Sequence, residues 1–199
     1  RHYEQRCATL VSLLDLVDVV GREVSTDWCV VMSSGAMTRH SDVAWSSVVQ
    51  SRCPAFAAFA ADIVDPSVRN RGTIGGSVAN SDPAADYPAA ILGLGATIVT
   101  VGNNGAREIA ADDYFLDLFE TALEEGEIIT SIRCPVPEAA AYSKFSNPAS
   151  RYAVVGVFVG RSVSGVRVGV TGAGPCAFRQ TDMEAALANE FSPWALDDV

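Results

Sequence analysis

At 199 residues, 49% of them apolar, the chain is long enough to close a sizeable core. A formal charge of -10 and a pI near 4.5 leave no basic field for a phosphate backbone or an anionic membrane surface, which excludes nucleic acid as an expected partner. Cys7, Cys29, Cys53, Cys134 and Cys176 form no CxxC pair, and the only histidines are His2 and His40. The cysteines therefore read as reduced, cytoplasmic thiols, not as a disulfide framework, a zinc site or an iron–sulfur cluster.

Taken in chain order, Tyr3, Cys7, Leu10, Leu14 and Val17 recur at helical spacing, while Val19 and Val20 equally fit the start of a strand. Acidic residues inside the apolar run of residues 1–20 leave no secretory signal visible. Ser41-Asp42 predicts the cap of a helix over Val43–Val49, and Pro54 holds the first-turn position of a second over Ala55–Ile63. Residues 68–80 read as a loop or strand-to-loop segment. Asp82-Pro83 repeats the cap-then-proline pattern ahead of a helix over Ala84–Leu94, with Gly93 and Gly95 placed to end it. The apolar stretch Tyr87–Val101 is broken by Pro88, Gly93, Gly95, Thr97 and Thr100 and is shorter than the roughly 18 residues of a membrane span.

Ala96–Val101 and Arg107–Ala110, joined through Asn103-Asn104-Gly105, predict an antiparallel hairpin. Asp112-Asp113 predicts the cap of a helix over Tyr114–Leu123, and Glu127–Cys134 predicts a strand ending at Pro135. Pro135–Glu138 is the expected boundary between a domain of residues 1–135 and one of residues 136–199. Past it, Ala141–Phe145, Tyr152–Val159 and Val166–Val170 predict a meander, followed by a short helix over Met183–Asn189 capped by Thr181-Asp182. Trp194 and Leu196 find no visible packing partner, so the second domain is expected to be incomplete.

The segment Arg69–Asn80 carries the most chemical information. Adjacent Gly75 and Gly76 allow positive φ and close backbone approach, so successive N–H groups are expected to bind an anion such as a pyrophosphate, with donors from Thr73, Ser77 and Asn80 beside them. A Gly-Gly turn with ordinary caps accounts for the pair equally well. No Lys-Ser or Lys-Thr follows the glycines, and the GxGxxG spacing is absent, so neither common nucleotide loop applies.

The full string Arg69-Asn70-Arg71-Gly72-Thr73-Ile74-Gly75-Gly76-Ser77-Val78-Ala79-Asn80-Ser81-Asp82-Pro83-Ala84-Ala85-Asp86 resembles the second FAD-binding motif of molybdenum hydroxylase flavin subunits, the medium subunits of the carbon monoxide dehydrogenase and xanthine dehydrogenase type. Further blocks resemble the same family in the same order: Gly35–Val43, Cys53-Pro54-Ala55, Phe119–Leu123 running to Ile132, Ser143-Lys144-Phe145 and Asn147–Tyr152. The resemblance runs over about residues 35–190. It implies an α+β fold, with an FAD-binding domain of the vanillyl-alcohol-oxidase type followed by a small domain with an antiparallel sheet and helices.

It also implies a site. The loop Thr73, Ile74, Gly75, Gly76 and Ser77 would contact the pyrophosphate with Asn80 nearby, Asp86 would hydrogen-bond the ribose or adenine side, the backbone of Ile129 would meet the adenine, and Lys144 and Tyr152 would approach the flavin ring. On spacing alone, Asp86 is equally an i,i+4 partner of the Asp82 cap, Lys144 an exposed strand lysine, and Tyr152 a half-buried strand aromatic. His40 reads as structural. The implied role is electron transfer through FAD from a molybdenum-cofactor large subunit and a 2Fe-2S small subunit, in a heterotrimer or a dimer of heterotrimers, with no nucleophile or general base required. An upstream Gly-Gly loop that relatives use has no match in residues 1–34, so the family pattern is expected to be cut at both ends. A flavoprotein acting without molybdenum partners, and a non-redox nucleotide-binding or structural remnant of the fold, remain open.

Overall fold

The computed structural model describes residues 22–26, 29–63, 65–197 and 199. The helical periodicity of Tyr3–Val17 lies outside the described residues. Two antiparallel sheets dominate. The first contains β1 (Arg22–Thr26), β2 (Cys29–Gly35), β3 (Thr97–Gly102), β4 (Gly105–Ala110) and β7 (Ile128–Pro135), in the order β1-β2-β7-β3-β4. The second contains β8 (Ala139–Ser146), β9 (Ala153–Ser162), β10 (Gly165–Thr171) and β11 (Phe178–Arg179), in the order β11-β10-β9-β8. Between β2 and β3 the chain makes one helical excursion: α1 (His40–Trp45), α2 (Ser47–Arg52), α3 (Pro54–Asp62), α4 (Pro66–Arg71), α5 (Ile74–Asn80) and α6 (Asp86–Leu94). A last helix, α7 (Thr181–Asn189), lies on the second sheet.

Helix α6 is the keystone. Its sequence, DYPAAILGL, is apolar beyond the first residue, and every residue in it is buried, as expected of a helix covered on all sides. It touches β7 of the first sheet and β9, β10 and β11 of the second, so one body of buried residues runs from Ile98 and Ile132 through Ile91 to Phe158. The helix and the second sheet approach to backbone contact at Gly160, where an added Cβ would lie 2.5 Å from the Gly93 carbonyl oxygen. The helix ends as its glycines predict: Gly95 adopts φ +62 and donates back into the last turn.

The hairpin β3–β4, the strand β7 and the meander β8–β9–β10 form where the sequence places them. Four expectations are corrected. The helix over Val43–Val49 is divided into α1 and α2 because Ser46 leaves the helical region and its side chain accepts from the Val49 N–H, capping a new start. The helix predicted from Ala84 begins only at Asp86, since Asp82 Oδ1 accepts from Ala84 N–H in a local turn ahead of it. The helix over Tyr114–Leu123 is instead a small hairpin of β5 (Phe115–Asp117) and β6 (Glu120–Thr121), turning at Phe119 with φ 55. Tyr114 and Phe115 are buried in the core and Ala122 and Leu123 pack against its edge, while Leu116, Leu118 and Phe119 stay exposed, and Asp117 Oδ1 takes the Leu118 N–H away from helical pairing. Residues 68–80, finally, are almost wholly helical, as α4 and α5.

Candidate cofactor site

The last correction changes the chemistry of the glycine pair. Gly75 and Gly76 have no positive φ, and the amides expected to bind an anion are spent inside the protein. Ile74 N–H donates to the Thr38 carbonyl (3.0 Å) and Gly75 N–H to the Ala36 carbonyl (2.9 Å). Gly76 N–H donates to Thr73 Oγ1 (3.0 Å) and Ser77 N–H to the Thr73 carbonyl (3.0 Å). Thr73 is thus the N-cap of α5, and the amides of residues 74 and 75 staple that helix to the turn after β2. Gly75 is needed for contact, not for conformational freedom: a Cβ there would lie 2.5 Å from the Ala36 Cβ and 2.6 Å from its carbonyl oxygen. Gly76, one residue on, is exposed, and a Cβ would meet only Thr73 Oγ1.

A hollow of about 600 Å³ does lie beside this staple. One wall is α4 and α5, contributing Arg71, Thr73, Gly76, Ser77 and Asn80; the opposite wall is the turn that ends in Arg151 and Tyr152; Asp86, at the start of α6, lies between them. The turn closes on Asn147, whose side-chain oxygen accepts from the N–H groups of Ala149 and Ser150, and Arg151 takes φ 57 to pass into β9. Just past the turn, Ala153 N–H donates to the Ala84 carbonyl (3.4 Å), and the neighbouring β10 is tied to the same segment by Thr171, a fully buried residue whose hydroxyl lies 2.6 Å from the Pro83 carbonyl and 2.8 Å from that of Ala85.

Of the residues singled out in the sequence, Thr73, Gly76, Ser77, Asn80, Asp86 and Tyr152 share this cavity, although residue 73 caps α5 and residue 152 precedes β9. Ile74 and Gly75 are buried behind its wall, and Ile129 is buried in β7 of the first sheet. Asp86 is no surface partner of Asp82: it is buried, with Oδ1 accepting from the Tyr142 phenol and Oδ2 lying 3.1 Å from Lys144 Nζ. Lys144 is correspondingly not an exposed strand lysine; only 5% of its side chain is exposed, and it also pairs with Asp62 at 3.2 Å. Burial pushes the Asp86 carboxyl upward, against the pull of the Tyr142 and Lys144 donors. His40 also borders the cavity, and burial holds its imidazole down to about 4, so it is neutral at ordinary pH. Sequence spacing had no means of finding Tyr142, Asp62 or Arg151, because their roles depend on pairing across 56 or more residues, or on a turn's exact closure.

Residues 5–137 match the FAD binding domain in molybdopterin dehydrogenase. The chain belongs to that family. The match includes residues 5–34, a stretch that the motif reading placed outside the family; likeness there is carried without a contiguous glycine string, Gly21 being the only glycine before Gly35. The family's members most similar to the chain include the carbon monoxide dehydrogenase medium chain of Hydrogenophaga pseudoflava, 40% identical over 154 residues, covering 73% of this chain and 54% of the relative. The glyceraldehyde dehydrogenase medium chain of Sulfolobus acidocaldarius is 33% identical over 160 residues, 77% of this chain and 57% of its own length. The chain therefore spans little more than half the length of these curated relatives. Among solved structures, carbon monoxide dehydrogenase from Hydrogenophaga pseudoflava lacking the Mo-pyranopterin moiety superposes with a TM-score of 0.77 at 37% identity, over 89% of this chain and 64% of that one. The α+β architecture expected of the FAD-binding family is thereby shared.

The cavity is chemically suited to the family's cofactor. Its volume lies in the range of small-molecule sites, its walls offer the hydroxyls of Thr73 and Ser77 and the amide of Asn80, and Arg71 and Arg151 provide cations that an acidic protein otherwise lacks there.

Proposed function

We propose that this chain holds FAD in the cavity between α5 and the Arg151–Tyr152 turn, as part of a molybdenum-containing hydroxylase or dehydrogenase. The observation that carries this reading is the convergence of Thr73, Gly76, Ser77, Asn80, Asp86 and Tyr152, drawn from α5, the start of α6 and the turn before β9, on one hollow. When bound, FAD supplies the redox chemistry, accepting and releasing electrons. The protein's task is to bind and orient it. Arg71 and Arg151 would offset the diphosphate charge, and the Thr73 and Ser77 hydroxyls and the Asn80 amide would donate to its oxygens. Tyr152, 48% exposed at the mouth, offers an aromatic face to a planar ring. Asp86, an acceptor only, would take hydrogen bonds from the cofactor's hydroxyl or N–H groups. Ile74 and Gly75 contribute by fixing α5, and Lys144 by holding Asp86; Ile129 would reach a ligand only through its backbone.

In this reading the electrons originate at a molybdenum centre on a large subunit and arrive through 2Fe-2S clusters on a small subunit, the assembly being a heterotrimer. The test is direct. The purified chain, stripped of ligand and titrated with FAD, is expected to develop a bound-flavin visible spectrum with quenched fluorescence at one equivalent. A preparation that stays colourless and refuses added FAD overturns the proposal. Co-expression with the genes for candidate molybdenum and iron–sulfur subunits is expected to recover the three chains together, and their failure to associate removes the partner assignment while leaving the cofactor.

A further inference from the structure

Asp86 faces the cavity only because something behind it holds it there. Its two oxygens are engaged separately, Oδ1 by the Tyr142 phenol and Oδ2 by Lys144, both on β8. The Tyr142 ring is itself clamped between Phe59 of α3 and Phe158 of β9, with centroids 5.4 and 6.4 Å away, so the phenol has little freedom to aim elsewhere. Directly under its hydroxyl passes β9 at Gly156, where an added Cβ would collide with Tyr142 Oη and lie 2.9 Å from Thr171 Cγ2. The missing side chain at residue 156 is therefore the space into which the phenol reaches.

We propose that Tyr142, seated over Gly156, is a positioning residue of the cofactor site, fixing the Asp86 carboxylate so that its remaining lone pairs meet hydroxyl or N–H donors of the bound nucleotide. The inference rests on the cavity being the FAD site. A carboxylate left to itself at this depth would be pushed toward its protonated form, which accepts poorly; burial already raises Asp86, and the Tyr142 hydrogen bond opposes that rise. The phenol keeps its own proton, because burial and the adjacent Asp86 charge push it upward. Among the other groups around the carboxylate, Lys144 on β8 favours ionisation, Asp62 at the end of α3 disfavours it, and Arg71, Arg151, Asp65, Asp82 and the neutral His40 border the cavity in front. Lys144 divides its ammonium between two carboxylates, so Tyr142 is the donor dedicated to Asp86.

The experiment is an FAD titration of the full chain across the range from about pH 5 to pH 8, comparing wild type, Tyr142→Phe and Gly156→Ala. Tyr142→Phe keeps the packed ring and removes one hydroxyl; it is expected to bind FAD about tenfold more weakly near neutrality, and the acid limb of its affinity is expected to move up by about one pH unit. Gly156→Ala keeps the hydroxyl but displaces it, and is expected to move both quantities in the same direction. Far-UV circular dichroism at the assay temperature separates these effects from unfolding, and Tyr142→Phe alone decides the matter if the alanine variant does not fold. A Tyr142→Phe titration that coincides with wild type in affinity and pH limb overturns the role of Tyr142 while leaving the site intact. A wild-type chain that takes up no FAD at any pH overturns the site itself.

Discussion

The two walls of the cavity face each other but are built at different ranges of the chain. The helical wall, α4 and α5, is assembled from neighbours: Asp65 caps α4, Thr73 caps α5, and the tie to the turn after β2 spans fewer than 40 residues. The opposite wall is a short turn closed on Asn147, and its placement depends on contacts made 56 to 88 residues away, through Tyr142, Lys144 and Thr171 to the segment before and at the start of α6. The first wall can form as soon as its own sequence folds. The second becomes a wall only once the second sheet has packed on α6.

The sharpest way to break the comparison is at the adjacent glycines, which the fold assigns to different tasks. Gly75→Val drives a branched side chain into Ala36, and is expected to cost about 3 kcal/mol or more in urea unfolding, taking the helical wall with it. Gly76→Val faces the cavity, and is expected to cost only about 1 kcal/mol while abolishing FAD retention, read by flavin absorbance after gel filtration. Equal stability losses at the two positions would show that α5 does not lie as described.

His40, next to the helical wall, provides the pH handle. Its folded pKa of about 4 lies below the ordinary 6.5, so protonation favours the unfolded chain: stability is fully present above about pH 6.5 and is lost as pH falls toward 4, by on the order of 2–3 kcal/mol. His40→Gln is expected to flatten that part of a plot of melting temperature against pH, and an unchanged slope would assign it to the carboxylates.

A smaller effect is expected across the join. Thr171→Val conserves volume but strips the Pro83 and Ala85 carbonyls of their shared donor, with an expected cost of about 1–3 kcal/mol in stability and a measurable weakening of FAD binding, because the turn wall loses its register on α6. Stability lost with affinity untouched would mean that the turn keeps its place without Thr171. Smallest of all, Cys53→Ser, in the buried contact between α2 and α3 and away from the cavity, is expected to leave FAD retention largely intact, as an equilibrium titration would establish.

Elements whose signals are short-range were legible in the sequence: the Asn103-Asn104 hairpin, the Gly95 helix end, the Pro54 helix start and the β8–β9–β10 meander, along with the family, because the string from Arg69 to Asp86 is contiguous. The run Tyr114–Leu123 misled because apolar content says that a segment wants burial, not how much of it the core has room to accept; Leu116, Leu118 and Phe119 in its middle found no place. At the glycine pair the expected physics did not hold, since whether an amide is free for a ligand depends on which carbonyls the rest of the chain brings to it, and the carbonyls of Ala36 and Thr38 take the amides of residues 75 and 74. What tertiary structure alone decided is the pairing of the charged and hydroxylic groups around Asp86. Hydrogen bonds reach only about 3 Å, so a partner 56 residues away in sequence becomes one only after α6 has been buried between two sheets.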